Sequence, residues 1–445
     1  MFAWENARTV PGVADANLTS IVRLPSSLRI IEVGIVGLLF ILGVGQAREC
    51  TDYQRSGIVT LLCLLMLSVV SSAVSVLGGL TSTSDALQTT YSFTAPFIIA
   101  TIFALRPVDR DAAERTLLAF VVLVGLSAVV AWWEMIHLRA FGDDVHGLMR
   151  DAHHFASAIW LVVIWWVVRV WRRVGSQIVN ILAILVFAPT ALYASNEKSN
   201  IAVLIVLGAA ATVAAWRRGF PYKVAIGGST IMVTILVQML VSGQVRLSPA
   251  FGHLQIVIDN ISGIGFFEGY RKVADVTVEL PRIWTVGAGP ASYGSFKAID
   301  KVALGEQAPP LAERYTAESY RLVFAANGLL GSYLEQSTDL SAFFVEFGPV
   351  ALLLFGITLW ALVLRPMRDV SQGVGTPPIR KAIAQWVVLS TCFTLVMSTL
   401  TAFYGWATLQ CSVWPVMCIA GLLQAPVATG TFVRADANYA RQPTV

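Results

Sequence analysis

Three polar stretches between long apolar runs carry side chains that bind anions or accept protons. They cover residues 137–154, 195–200 and 244–340. The residues that could do chemistry are Arg150 and His154 in the first stretch, Lys198 in the second, and His253, Arg271, Arg282 and Asp339 in the third. Guanidinium groups bind phosphate oxygens in pairs, an ammonium adds a compact charge, and carboxylates or imidazoles take protons from hydroxyl groups. These residue types predict chemistry on an anionic substrate, with diphosphate the obvious candidate.

Simpler interpretations exist for several of these groups. Lys198 could be a solvated residue of a short turn. His153 and His154 are adjacent and therefore point to different sides, and no third ligand follows at helical spacing, so no metal site is predicted. Gly287-Ala288-Gly289-Pro290 could cradle a phosphate, but a turn entering the outer ends of helices is favoured because the flanking strand and helix of such loops are missing. A Gly-x-Ser-x-Gly elbow is absent, which leaves a lipase-like hydrolase without support.

The composition is that of a membrane protein. Apolar residues make up 56% of the 445 and charged residues 13%, whereas soluble domains carry about 25% charge. A span needs about 20 apolar residues. We therefore predict an all-α polytopic membrane protein with about 11 spans (10 to 12). The candidate spans are 29–47, 57–79, 90–106, 116–136, 155–171, 178–194, 200–216, 223–243, 341–364, 382–402 and 404–424.

These spans divide the chain into four parts. An N-terminal transmembrane bundle covers 1–243, a large loop covers 244–340, the C-terminal spans cover 341–424, and a tail covers 425–445. The net charge of +4 does not indicate a nucleic-acid partner, because the basic residues alternate between loops and form no patch.

Basic residues assign the sides of the membrane, because cytoplasmic loops retain positive charge. The basic loops are those with Arg48 and Arg55; Arg106, Arg110 and Arg115; Arg169, Arg172 and Arg173; Arg217, Arg218 and Lys223; and Arg365, Arg368, Arg380 and Lys381. The loops at 137–154, 195–199 and 244–340 then face outward, and the tail is cytoplasmic. An odd number of spans puts residues 1–28 outside despite Arg8, Arg23 and Arg29, so the side of the N-terminus stays open.

Four segments, in their order along the chain, resemble the O-antigen polymerase and O-antigen ligase superfamily of undecaprenyl-diphosphate-dependent membrane glycosyltransferases. GLMRDAHHFAS at 147–157 is similar to a family segment in which a glycine and a short polar stretch precede an Asn and a small residue that open the next span. SNEKSN at 195–200 lies where the family often has Ser-Arg, which places Lys198 at the Arg position. Arg271 followed by RIWTVGAGPASYGSF from Arg282 resembles the family's Arg, Trp and glycine-rich segment. STDLSAFFVEFGPVALLLFG from Ser337 resembles an element that re-enters the membrane.

This resemblance implies a GT-C-like fold whose large, partly helical periplasmic loop precedes the last three spans. It implies an exopolysaccharide or O-antigen polymerase of the bacterial inner membrane, with its active site facing the periplasm. A growing glycan would pass from undecaprenyl diphosphate to a hydroxyl of a lipid-linked repeat unit without cofactor or metal. The expected partners are this lipid-linked oligosaccharide, membrane lipid, a chain-length regulator and a flippase.

The expected roles follow from the same resemblance. Lys198, Arg271, Arg282 and Arg150 would bind the diphosphate, with Lys198 and Arg271 the first choices. Asp339 would take the proton from the acceptor hydroxyl, with His154 and His253 as reserve bases. Tyr270, Trp284 and Tyr293 could stack on sugar faces, although aromatic residues near a membrane interface more often anchor the protein there.

Two other functions compete with polymerisation. The first is an O-antigen ligase that transfers polymer to lipid A–core. It is disfavoured because the ligases carry a histidine near the position of Ser337, where this chain has none. The second is a flippase or transporter of lipid-linked oligosaccharide. It is disfavoured because the spans contain few acidic residues, chiefly Glu134 and Glu346, and no repeated broken helix.

Overall fold

The structure is a computed structural model in which the regular elements are helices. It describes residues 37–38, 40–41, 51–109, 111–138, 145–149, 152–194, 197–216, 265–294, 309–315, 338–400 and 407–426. The first six full helices are α1 (Asp52–Leu77), α2 (Thr83–Leu105), α3 (Ala112–Trp133, continued by a π-helical turn Glu134–Leu138), α4 (Ala152–Arg172), α5 (Gln177–Ala194) and α6 (Glu197–Trp216).

The second half of the chain supplies a small helical layer and three further long segments. The layer consists of α7 (Gly265–Glu279), a 3₁₀ turn (Pro281–Trp284) and α8 (Pro310–Tyr315). The remaining helices are α9 (Asp339–Leu359), which continues through a π-helical turn (Trp360–Leu364) into α10 (Arg365–Gln372), then α11 (Pro378–Leu400) and α12 (Ala407–Gln424).

Helix α1 shows why these segments are spans. The hydroxyl of Thr51 accepts the N–H of Gln54, whose side chain accepts the N–H of Thr51 in return, and this capping box starts the helix. Leu61 and Leu64 are buried in the bundle, but Met66 and Val69 on the opposite face are exposed. A helix that is apolar on all sides yet covered by protein on only one is suited to lipid.

Six helices in the described part of the chain are long and apolar enough to cross a membrane. They are Asp52–Leu77, Ala112–Leu138, Phe155–Arg172, Gln177–Ala194, Asp339–Gln372 and Pro378–Thr399, and Ser199–Ala214 and Val413–Gln424 are shorter apolar helices. These ranges confirm the polytopic membrane class. The count of eleven stays a prediction, because the candidate spans 29–47 (apart from a few residues) and 223–243, like the tail from 427, lie outside the described residues.

Helix α2 packs between two other helices, and two of its buried hydroxyls are satisfied within the helix. Thr94 and Thr101 donate to carbonyls four residues earlier, at 2.9 and 2.8 Å, so they need no partner on a neighbouring helix. Gly421 of α12 approaches closely, since a Cβ there would lie 2.4 Å from the Ala100 carbonyl oxygen. On the other side, Phe97 meets Phe355 of α9 edge to face. Small-residue and aromatic packing thus places α2 between α12 and α9.

One end of the bundle, here called the basic end, collects the predicted cytoplasmic cations. The helices alternate in direction through the short connections at 78–82, 106–111 and 173–176. At the basic end the Arg365 guanidinium lies 5.4 Å from the Tyr53 ring, Arg172 donates to Gln385, and Arg380 donates to the Leu423 carbonyl at 3.2 Å. The opposite end, here called the far end, carries the helical layer α7–α8.

Candidate functional site

At the far end, residues 287–294, here called the docked turn, insert between α1 and α9. The N–H of Ala288 donates to the Val345 carbonyl at 2.7 Å, and that of Gly289 donates to the Glu346 carbonyl at 2.9 Å. Only glycine fits at two positions. A Cβ on Gly287 would lie 2.2 Å from the Glu346 carbonyl oxygen, and one on Gly289 would lie 1.9 Å from the Ser75 Cβ. The predicted interpretation of this glycine-rich stretch as a turn at the ends of helices is confirmed.

A break in α9 creates the acceptors that hold the docked turn. Gly348 adopts φ 84° and ψ 166°, and Pro349 follows it. In a regular helix the Val345 carbonyl would accept the N–H of residue 349, which proline lacks. The Ala288 N–H takes that place, while the Glu346 carbonyl accepts from Gly289 and from the Ser71 hydroxyl at 3.1 Å. The broken helix and the turn therefore satisfy each other's backbone groups.

The Glu346 carboxylate anchors the same turn through three backbone amides. Its Oε2 accepts the N–H of Ala291 at 2.8 Å, and its Oε1 accepts those of Tyr293 and Gly294, both at 3.0 Å. The side chain is completely buried. Because its oxygens face amides of the protein, this carboxylate is suited to hold the turn rather than to receive a proton from a substrate.

A small core joins the docked turn to the helical layer. Val276 of α7, Ile283, Ala288, Tyr293, Leu311 of α8 and Val345 of α9 form an apolar cluster separate from the core of the bundle. At its edge the Glu279 carboxylate pairs with Arg314 and accepts the Tyr315 hydroxyl. Burial, followed by the charge of Glu346, raises the pKa of Tyr293, so its hydroxyl stays protonated over the physiological range.

Arg282 lies where the 3₁₀ turn meets the end of α1. Its Nη2 donates to the Ala288 carbonyl at 3.4 Å, and its Nη1 approaches Gly78, the C-cap of α1. A cation at a helix C-terminus is favourable, which gives Arg282 a structural reason to be there. Its Nε is nevertheless buried and has no hydrogen-bond partner among the residues that the structure describes. A guanidinium has five N–H donors, and the described hydrogen bond uses one of them, so donors remain for an anion at the part of the group that is not buried.

Asp339 belongs to the same helix, above the break. It lies in the first turn of α9 and is 4% exposed, and the hydroxyl of the N-cap residue Thr338 accepts the Ser341 N–H at 3.2 Å. Val345 follows Asp339 by six positions, which corresponds to about 9 Å along a helix. The first half of α9 thus connects the predicted proton acceptor with the residues that hold the docked turn.

Of the other predicted site residues, some lie in helices whose backbone alone is described there, and the rest lie outside the described residues. Arg271 lies in α7, which packs through Val273 and Val276 on the docked turn, but its side chain is outside the described part. Lys198 and His154 lie in the first turns of α6 and α4, again with side chains outside that part. The Trp160 indole, in the third turn of α4, donates to Asn200 in the first turn of α6 at 3.0 Å, so the two helices are joined near these ends. Arg150 and His253 lie outside the described residues.

Two carboxylates to which sequence reasoning assigned no role bind the backbone amides of turns. Glu346 holds the docked turn, and Oε2 of Glu134 accepts the N–H groups of His146 and Gly147, both at 2.9 Å. Each is an acidic residue near the end of an apolar span, and each binds a turn that contains a glycine with positive φ. An acidic residue near the end of a span, together with a glycine in a polar stretch, was the sequence signal that could have identified these two carboxylates. The described residues contain no group of three or more His, Cys, Asp or Glu side chains that could hold a metal ion.

Comparison with models of known protein families and with the sequences of curated proteins finds no match to this chain.

Proposed function

We propose that the protein is a polysaccharide polymerase of the bacterial inner membrane. It would transfer a growing glycan from undecaprenyl diphosphate to a hydroxyl of a lipid-linked repeat unit, at the far end of the bundle, on the periplasmic side. The observation that carries the proposal is the placement of Arg282 at the end opposite the basic end, as a half-buried cation whose described hydrogen bond uses one of five N–H donors.

The charge distribution supports an anionic ligand at Arg282. Positive charge is disfavoured on the outward side of a membrane protein, so an outward arginine needs a physical reason. In the same layer, Arg314 has such a reason within the protein itself, because it pairs with Glu279. Arg282 has one described hydrogen bond to a carbonyl and the end of α1 beside it. A diphosphate offers the oxygens that a guanidinium binds best.

The proposed reaction balances without a nucleotide. The acceptor hydroxyl oxygen attacks the anomeric carbon of the donor glycan, the bond from that carbon to the diphosphate oxygen breaks, and lipid diphosphate leaves. Asp339 receives the hydroxyl proton, with His154 or His253 as the reserve acceptor. Arg282, together with Lys198, Arg271 and Arg150, stabilises the negative charge that develops on the leaving group.

An exposed aromatic ring beside the docked turn supports a sugar substrate. Trp284 is 58% exposed and is held edge to face on Phe344 of α9 at 5.7 Å between ring centroids. Its free surface is available to stack on a sugar ring. Tyr293 is 1% exposed, so its ring is not accessible for stacking on a substrate.

The test is polymerisation in proteoliposomes with purified lipid-diphosphate-linked repeat unit as the only substrate. Arg282→Ala should lower kcat/KM by at least about 100-fold, as expected for the loss of one donor to a developing anion. Arg314→Ala is the matched control, since its exposed ion pair should leave activity within about two-fold. Equal activity of Arg282→Ala and the wild type would contradict the assignment of this cation.

The competing functions give different products in the same assay. Glycan transfer that requires added lipid A–core would indicate a ligase. Movement of the labelled lipid across the bilayer without a new glycosidic bond would indicate a flippase. Either result would overturn the proposed polymerase.

A further inference from the structure

A continuous set of contacts leads from the Glu346 carboxylate to the Arg282 guanidinium. We propose that Glu346 is a positioning residue, which sets the location of Arg282 relative to the substrate diphosphate through the docked turn. The inference rests on the proposed function for the part that concerns substrate, and on the geometry of the far end for the part that concerns Arg282.

The first step runs from Glu346 to the docked turn. Side-chain and main-chain oxygens of this residue accept four backbone N–H groups of the turn, those of Gly289, Ala291, Tyr293 and Gly294, between 2.8 and 3.0 Å. These amides cover most of residues 287–294, and the turn is buried throughout. One residue of α9 thus holds the whole turn at a fixed depth beside α1.

The second step runs from the docked turn to Arg282. The Arg282 carbonyl accepts the N–H groups of Thr285 and Val286 at 3.0 and 3.1 Å and the Thr285 hydroxyl at 2.9 Å, so residues 282–286 are compact. Ala288 then accepts a hydrogen bond from the guanidinium, and the buried Ile283 packs into the same small core. A shift of the docked turn must therefore move Arg282.

The chemistry of the anchor requires a carboxylate of this length. Glutamine offers one acceptor oxygen and turns an NH₂ group towards either the Ala291 amide or the pair at Tyr293 and Gly294, so donor faces donor. Aspartate keeps both oxygens but is one methylene shorter. The loss should be larger for Glu346→Gln than for Glu346→Asp, because only glutamine places a donor opposite the amide donors of the turn.

A catalytic role and a merely structural role make different predictions. Glu346 is completely buried and faces amides, so it does not touch the substrate and is not a catalytic residue. A residue that served only stability would change the amount of folded protein and its melting temperature, but not the turnover number of the folded fraction. A positioning residue changes that turnover number and does so through Arg282.

The experiment is a double-mutant cycle in full-length protein in proteoliposomes, with the lipid-diphosphate-linked repeat unit as substrate. Glu346→Gln should lower kcat/KM by about 10- to 100-fold per folded protein, the scale of a misplacement near 1 Å. In the Arg282→Ala background the same change should lower it by less than about two-fold, because the residue through which it acts is gone. If the loss in kcat/KM of the double variant equals the product of the losses of the two single variants, the proposal is overturned.

Thr358→Val is the matched control on the same helix. Thr358 is buried below the break and its hydroxyl lies 3.1 Å from that of Thr60 on α1, so the variant loses a buried polar contact but leaves the docked turn intact. Its turnover number should stay at the wild-type value. A loss as large as that of Glu346→Gln would show that any damage to the contact between α1 and α9 suffices, and would overturn the specific role of Glu346.

A second measurement does not depend on the reaction. The rate at which a charged thiol reagent modifies Arg282→Cys should change at least about five-fold when Glu346→Gln is added, since exposure of residue 282 follows the docked turn. An unchanged rate would overturn the positioning role even in an active enzyme. If the modification rate changes but the wild-type protein makes no polymer, the link between Glu346 and Arg282 stands and the proposed function is overturned.

Discussion

The Ala288 N–H occupies the place that Pro349 leaves empty at the Val345 carbonyl. The distance is 2.7 Å, and the Gly348 break directs the first half of α9 so that this carbonyl faces the docked turn. A residue next to the helical layer of the far end thus completes the hydrogen bonding of a helix that is apolar enough to span a membrane. Irregular backbone at membrane depth is tolerated when protein covers it and satisfies its polar groups, and this pair meets both conditions.

Gly289→Ala should destabilise the protein by about 2–4 kcal/mol, because the added methyl collides with Ser75 and the residue must keep a positive φ. Adding Ser75→Gly should recover part of the loss, since it removes the colliding atoms but not the backbone strain. Thermal unfolding in detergent measures both. Gly208→Ala in α6, where the methyl meets open space, should leave the melting temperature unchanged or slightly higher.

Glu134→Ala should free the amides of His146 and Gly147, because both donate to Oε2 of Glu134 and the variant has no acceptor there. A carboxylate hydrogen bond contributes about 1.5–3 kcal/mol, so exchange of these two amides should accelerate by at least about ten-fold. Hydrogen–deuterium exchange read at single residues measures this. The Leu148 amide donates to Ser127 instead and is the internal control. Equal acceleration at all three positions would indicate general unfolding.

The stability of the far end should fall in alkaline solution, with Tyr293 as a cause. Burial raises the pKa of Tyr293 in the folded protein, so the folded state holds its proton at a pH where the unfolded chain has lost it. The contribution is therefore complete below about pH 10, the ordinary pKa, and is lost progressively as the pH rises from there towards the raised pKa of the folded state. Melting temperatures between pH 8 and pH 11 should fall less steeply for Tyr293→Phe than for the wild type. Parallel slopes would contradict this assignment.

Lys198→Arg should retain polymerisation, since the resemblance places arginine at this position and either cation binds phosphate. Lys198→Ala should lower kcat/KM by at least about ten-fold through the lost cation. Chain length on gels and initial rates in proteoliposomes are the measurements. Lys381→Ala removes a lysine from the basic end, at the start of α11, and should leave both unchanged. Activity loss in that control variant would point to a general effect of charge.

Trp284→Ala should raise KM for the repeat unit by about three- to ten-fold and change kcat little, because stacking contributes to ground-state binding as well. Replacement of Phe344, which holds the Trp284 ring in place, should raise KM in the same direction but by less. Initial rates over a range of substrate concentrations separate the two constants. A fall in kcat at constant KM would contradict a role in binding.

Much of the bundle could be predicted because lipid imposes a simple rule on local sequence. Apolar runs of sufficient length must form helices, so the ranges predicted at 116–136, 178–194 and 382–402 recur as long apolar helices. The predicted span 341–364 ran through Gly348-Pro349 without a break, although both residues interrupt a helix through their own backbone chemistry. The site was predictable only as a set of outward residue types, of which Arg282 and Asp339 lie in the described part with their side chains.

The sequence by itself determined the membrane class, the end that gathers the basic residues and the turn at Gly287–Pro290, because each depends on residues close together in the chain. Only the tertiary structure decided what Glu346 does. Its partners Ala291, Tyr293 and Gly294 lie more than fifty residues away and bind through main-chain N–H groups, which every residue except proline carries. No pattern of side chains encodes such a contact, and it exists because a broken helix and a glycine-containing turn meet at one depth beside α1.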